Sequence, residues 1–287
     1  MKLSVIFVSV LFFATGAKAD FILNPATLTP GGVALLCWQG TSPAPALKKV
    51  RFADVDMPLL MRDNRPCAIV GVDIEQKAGL WPLTVESNGP LGEHHQSQLS
   101  LRVDAVEHPA QRLTLPKQMV TPTDNKIVKQ IEVDSKHLDQ IFSRKEPVIF
   151  SSTFQRPLGG EVISAFGLRR ILNNIPKSPH NGIDFRASRG APVAAMTRGQ
   201  VALAENLYYT GKTVILDHGG GLFSLYAHLD SFSVSSGEIV ERGDVVGKVG
   251  STGRSTAPHL HMGTRLGKIR IDPLALIALF ANEKEKD

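Results

Sequence analysis

The sequence predicts a mainly β chain in two parts joined by a helical connector. Three observations lead there. Short apolar or alternating runs of 3–7 residues recur along the chain, and glycine- and proline-rich turns separate them. One polar stretch near the middle, roughly residues 121–145, carries helical spacing instead. Hydrophobic residues are 43% of the 287 and charged residues 21%, the balance of a folded protein rather than a disordered one.

Residues 1–19 read as a secretory signal. Lys2 supplies the positive start, Leu3 to Ala14 is almost wholly apolar, and Ala17-Lys18-Ala19 offers small residues for cleavage before Asp20. The apolar run falls short of the ~20 residues a membrane-spanning helix needs, and nothing after Asp20 makes a second span. The expected product is exported, to a periplasm or beyond.

Residues 20–112 predict an immunoglobulin-like β-sandwich. Its strands are Val33–Trp38, Val50–Phe52, Ala68–Ile74, Leu80–Val85 and Gln98–Val103. Pro30-Gly31-Gly32, Asp63-Asn64 and Asn88-Gly89-Pro90 supply the turns. Both cysteines, Cys37 and Cys67, fall in strand-like apolar runs. Export permits a disulfide, and two buried thiols remain the other reading.

Residues 113–146 form the connector. Asp124 or Asn125 can cap a helix whose apolar positions are Ile127, Val128, Ile131, Leu138, Ile141 and Phe142. The polar step at Val133-Asp134 leaves one helix or two short ones equally open. Residues 147–280 return to β character. Thr213–Leu216 and Leu222–Ala227 flank Gly219-Gly220-Gly221, Ile239–Val249 has a valine and glycine rhythm, and His259–Leu266 pairs with Lys268–Ile271 across Gly267. Asp272-Pro273 opens a closing helix over Leu274–Phe280, and residues 281–287 are a tail.

The net charge of +5 suits an anionic partner without demanding one. No basic run is interleaved with aromatics, so nucleic-acid binding has no support.

Chemistry concentrates in four histidines and one aspartate: His180, Asp184, His228, His259 and His261. Strand side chains alternate, so His259 and His261 share a face. His180 and Asp184 would stand ~13 Å apart in a regular strand, too far for one ion. Pro179 and Gly182 argue against a helix there, so the pair requires a bend at Gly182. Two imidazoles and a carboxylate suit zinc, and three protein ligands leave a position open for water. Water bound to zinc has its pKa lowered to ~7, and neighbouring histidines can handle its proton. The chain has no His-Glu-x-x-His helix.

The segment from about Ser164 to Pro273 resembles the catalytic domain of lysostaphin-type (LytM-like) zinc peptidoglycan metalloendopeptidases. The pieces that carry the resemblance are Ser164-Ala165-Phe166-Gly167-Leu168-Arg169, His180-Asn181-Gly182-Ile183-Asp184, Tyr226-Ala227-His228-Leu229, Gly250-Ser251-Thr252-Gly253-Arg254-Ser255-Thr256 and His259-Leu260-His261. Ala257 and Gly263 depart from the residues the family often has there. The resemblance implies one zinc on His180, Asp184 and His261, with His228 and His259 acting on the water and the transition state. It implies an antiparallel sheet with a long groove, and a peptide bond of a peptidoglycan stem or cross-bridge as substrate. A D-Ala to diaminopimelate cross-link and a glycine bridge are both open. The alternative it raises is a non-catalytic relative that activates or scaffolds other wall hydrolases. The leading β-domain is similar to one that precedes the catalytic unit in some exported members, and domain order suggests that it or the connector covers the groove.

Lesser candidates are His218 for a structural or groove-wall role, and Arg169 or Arg170 for holding a substrate carboxylate. Tyr208 and Tyr209 are candidates for the groove wall. His94 and His95 read as a solvated loop.

Overall fold

A computed structural model describes residues 21–41, 43–150 and 153–281. The signal segment expected at 1–19 and tail residues 282–287 lie outside the described residues.

The first part is a β-sandwich. One sheet runs Phe21–Asn24, Val33–Trp38, Arg65–Gly71, Leu59–Arg62 in spatial order. The facing sheet runs Thr27–Leu28, His94–Val103, Gly79–Asn88, Ala46–Phe52, Val55–Asp56. Alternation selects the buried faces: Val50 and Phe52, Leu83 and Val85, and Leu101 and Val103 point inward while their neighbours stay wet. Val33–Leu36 and Ala68–Val70 close the core from the other sheet. Cys37 and Cys67 are register partners on adjacent strands, with Cα atoms 4.1 Å apart, and are joined as a disulfide. That resolves the open choice between bond and thiols. His94 and His95 are exposed, as expected, but on a strand rather than in a loop.

A strand at the junction of the first part and the connector, Ala110–Leu113, pairs in parallel with Arg169–Leu172. Two helices follow, α1 (Lys117–Val120) and α2 (Asn125–Phe142). Asp124 caps α2 by accepting the Lys126 N–H at 2.7 Å. α2 is unbroken at Val133-Asp134. The Asp134 carboxylate finds partners without leaving the helix, accepting from Gln130 Nε2 and from the Tyr208 backbone N–H, each at 2.7 Å.

The last part is a ten-stranded sheet, and its pairings are antiparallel. Its central path runs Val162–Ser164, Ile183–Arg186, His259–Leu266, Leu222–Phe232, Gly211–Asp217, Gly199–Leu207, Ile239–Val240. The expected hairpins form. Gly219, Gly220 and Gly221 turn with φ of 79°, 63° and 81°, a region open to glycine and strained for other residues. α3 (Pro273–Leu279) starts at Asp272, whose carboxylate accepts the Leu274 N–H at 2.8 Å.

The two β parts share one apolar core. Leu266 and Ile271 press so closely on Gly71 that a Cβ there would lie 2.6 Å from Leu266. Arg270 Nε donates to Asp73 at 3.0 Å across the same seam. Among the described residues no helix is long and apolar enough to cross a membrane.

Candidate metal centre

The strands Ile183–Arg186, His259–Leu266 and Leu222–Phe232 lie side by side. Asp184 stands opposite His261, and His261 opposite Ala227. Directly opposed residues share a face, so Asp184, His261 and, by alternation, His259 emerge together. His180 precedes its strand and reaches back because the chain turns at Gly182. A Cβ at Gly182 would sit 2.3 Å from the Met262 carbonyl and 2.7 Å from His261 Cε1, so a side chain there has no room. The bend required by the sequence brings His180 Nε2 to 3.0 Å from Asp184 Oδ1.

His228 reaches the same face by another device. It is adjacent to Ala227, so a regular strand would turn it toward the core with Tyr226. Instead it adopts φ of +60°, at a place where the pairing with Gly211–Asp217 slips register. A β-bulge with a left-handed residue re-aims the side chain, and the His228 ring lies 4.8 Å from that of His259. A non-glycine residue in this conformation carries backbone strain, of the kind that gathers at functional sites.

Hydrogen bonds set the tautomers. His180 Nδ1 donates to the Ala165 carbonyl at 2.9 Å, His228 Nδ1 to Thr252 O at 2.8 Å and His259 Nδ1 to Ala257 O at 2.8 Å. A carbonyl only accepts, so each Nδ1 holds a proton, and in the neutral ring Nε2 is the nitrogen with the lone pair. His261 turns its Nδ1 inward, 2.8 Å from Asp184 Oδ1 and 3.0 Å from His180 Nε2.

The metal-ready atoms are thus His180 Nε2, His261 Nδ1 and Asp184 Oδ1, on residues 1%, 8% and 6% exposed. Their separations of 2.8–3.0 Å approach the ~3.3 Å edge of a tetrahedron with zinc-type bonds of ~2.0–2.1 Å. A bare nitrogen lone pair beside an anionic oxygen is a place for a cation, and the donor set fits. Burial pushes the Asp184 carboxyl up, but the close approach of the His180 and His261 imidazoles prevails and holds it well below the usual carboxylate range. Burial, with His261 and His259 beside it, lowers His228 to about 3. Burial also lowers His261, against the pull of Asp184.

Other sequence candidates separate. Arg170 reaches the site, its Nη2 donating to Asp184 Oδ2 at 3.1 Å, whereas Arg169 is exposed. Tyr209 borders the groove beside His228 and His261. The Tyr208 hydroxyl donates to Gln118 O on α1 at 3.2 Å. His218 is fully buried away from the centre, bonded to Arg198 O and Ser224 Oγ at 2.8 Å each. Sequence reasoning quoted Arg254 within a motif without giving it a role, and it stands over the Tyr209 ring at 4.5 Å. It likewise gave no role to the Ala165 and Thr252 carbonyls. Their signal was only that both sit in motifs that the histidines need.

A buried His/Asp/His group stands on an antiparallel sheet, with two further histidines beside it, and could hold a metal ion. Residues 178–273 match Peptidase family M23, so this chain carries a peptidase M23 domain. It is similar to the peptidoglycan DD-endopeptidase ShyA of Vibrio cholerae, 29% identical over 272 residues, covering 82% of this chain and 62% of that protein. It is also similar to the DD-carboxypeptidase/endopeptidase Mpg of Neisseria meningitidis, 38% identical over 118 residues, covering 37% of this chain and 27% of the relative. The chain therefore spans less than two thirds of the length of these curated relatives. A crystal structure from Pseudomonas aeruginosa with a peptidase M23 assignment superposes with a TM-score of 0.68 at 28% identity, over 88% of this chain and 95% of that one.

Proposed function

We propose that this chain is an exported zinc-dependent endopeptidase that hydrolyses peptide bonds in the stem or cross-bridge of peptidoglycan. The observation that carries the reading is the convergence of His180 Nε2, His261 Nδ1 and Asp184 Oδ1 on one point, with two more imidazoles alongside. Relatives named as peptidoglycan DD-endopeptidase and DD-carboxypeptidase/endopeptidase support the substrate class.

In this reading His180, Asp184 and His261 hold one zinc ion. Bound there, it supplies Lewis acidity that activates a water toward an amide carbonyl. His228 Nε2 or His259 Nε2 takes up the one proton the water gives up. The imidazolium so formed stabilises the oxyanion and passes that proton to the leaving amine, while the other ring steadies the oxyanion or the water. Their Nδ1–H bonds to Thr252 O and Ala257 O hold both rings for that work. The retention of all five residues weighs against a scaffold that has lost its metal.

A cover over the groove is part of the proposal. α2 presents Ile131, Asp134, Ser135 and Leu138 to the groove that contains His228 and His261. The Asp134 bond to the Tyr208 N–H and the bond from Arg254 Nη1 to Met119 O at 3.4 Å hold the connector there. Access then requires the connector to shift.

The test is the zinc content of the purified protein alongside release of new amines from purified peptidoglycan. About one zinc per chain, with amine release abolished by chelation, supports the enzyme. A wild type that binds no zinc and releases no amines, with the connector intact and with it loosened, removes it.

A further inference from the structure

Arg170 and Arg254 border the candidate centre from two elements. Arg170 lies on the strand Arg169–Leu172, where its register partner is Gln111. Its Nη2 bonds Asp184, but its Nε is buried with no hydrogen-bond partner among the described residues. Gln111 Oε1 is buried and unpartnered in the same way. Arg254 stacks on Tyr209, and its bond to the Met119 carbonyl is long, at 3.4 Å. A cavity of about 190 Å³ adjoins both guanidiniums, with Gln111, Asp184, His228 and His259 also in its walls.

The charges do not balance. Two guanidiniums border a cavity whose one carboxylate, Asp184, pairs with Arg170 and is already shared with His180 and His261. Burial lowers Arg254, with Arg170 adding to the fall and Tyr209 and Tyr208 opposing it. Buried like charges with an unpartnered N–H are costly unless an anion completes them. A planar guanidinium fork matches a carboxylate.

We propose that Arg170 and Arg254 form a clamp for a free carboxylate on the carbon that bears the scissile nitrogen. The inference rests on the peptidase reading for the nature of the ligand. Such a carboxylate exists when the leaving residue is C-terminal, and when a cross-link's amine donor keeps its own α-carboxyl group. An internal glycine bridge carries none at that place, so the clamp selects directly cross-linked or terminal substrates. The Met119 carbonyl occupies part of the guanidinium fork of Arg254 in the closed arrangement, and the substrate carboxylate replaces it.

The test uses the full chain and two probes, an N-acyl-D-Ala-D-Ala dipeptide and its C-terminal carboxamide, with binding measured by calorimetry. Wild type is expected to bind the acid roughly 10-fold or more tighter than the amide, as charge-assisted bonds do. Arg254→Met should bring the two within about twofold, with Arg254→Lys between because it keeps charge without the fork. An unchanged near-ultraviolet circular dichroism spectrum shows that the variants are folded. Equal binding of acid and amide by wild type, a ratio preserved in Arg254→Met, or no binding of either probe overturns the clamp. Cleavage of the same probes with zinc is scored separately. A binding preference without cleavage of the probes or of peptidoglycan keeps the clamp and removes the peptidase reading, whereas equal cleavage of both probes does the reverse.

Discussion

Asp184 and His261 face one another across two antiparallel strands, with Oδ1 and Nδ1 2.8 Å apart, and His180 closes on both from outside the strand at 3.0 Å. His261→Ala removes one of three converging donors. Zinc content should fall from about one per chain to near zero, with amine release lost alongside it; metal analysis after dialysis reads the first directly.

His228 offers the contrasting case, because its ring stands beside those of His259 and His261 without belonging to the donor set. His228→Ala should keep its zinc yet lower amine release by roughly 10²–10⁴-fold, the usual range for removing a general acid or base. Loss of zinc in this variant would place His228 among the ligands instead.

Gly182 is the sequence feature on which the bend depends. In Gly182→Ala the added methyl group meets the Met262 carbonyl and the His261 ring. Overpacking of this kind costs about 1–3 kcal/mol, a Tm lower by several degrees. Zinc affinity should fall with it, since the ring that shifts is a proposed ligand; calorimetric melting and zinc titration check the two effects.

His218 links stability to pH. Burial lowers it from 6.5 to about 4 in the fold, so the unfolded chain binds a proton that the folded chain refuses. Its contribution is fully present above pH 6.5 and is lost as pH falls from 6.5 toward 4, by about 3 kcal/mol at most. Urea unfolding at pH 7 and pH 4.5 should show a shallower loss in His218→Gln than in wild type. Equal losses would mean that His218 titrates normally.

Asp134 ties the connector to the groove through the Tyr208 N–H. Asp134→Ala removes a charged hydrogen bond of about 1.5–3 kcal/mol. Part of that energy should reappear as a several-fold rise in amine release, at unchanged zinc content. Unchanged or lower release from a folded variant would count against the cover.

Much of this protein was legible as local pattern. The runs Val50–Phe52 and Leu80–Val85, the triple-glycine turn and the Asp272-Pro273 helix start are short-range signals. Each formed where expected, and the two strands extend further, to Ala46–Phe52 and Gly79–Asn88. The pairing of Cys37 with Cys67 was not legible, because register across two strands depends on the whole sheet. The continuity of α2 was also hidden, since the partner that satisfies Asp134 lies 74 positions away at Tyr208.

By itself the sequence singled out the candidate residues: four histidines and an aspartate, two of them on one strand face, and a glycine where a bend is needed. Tertiary structure alone decided what surrounds them. It set the left-handed turn that aims His228, the carbonyls that bind Nδ1 of His180, His228 and His259, Arg170 on Asp184, Arg254 over Tyr209 and the helix lying along the groove. These are contacts between segments far apart in the chain, and short-range periodicity carries no information about which distant atoms will meet.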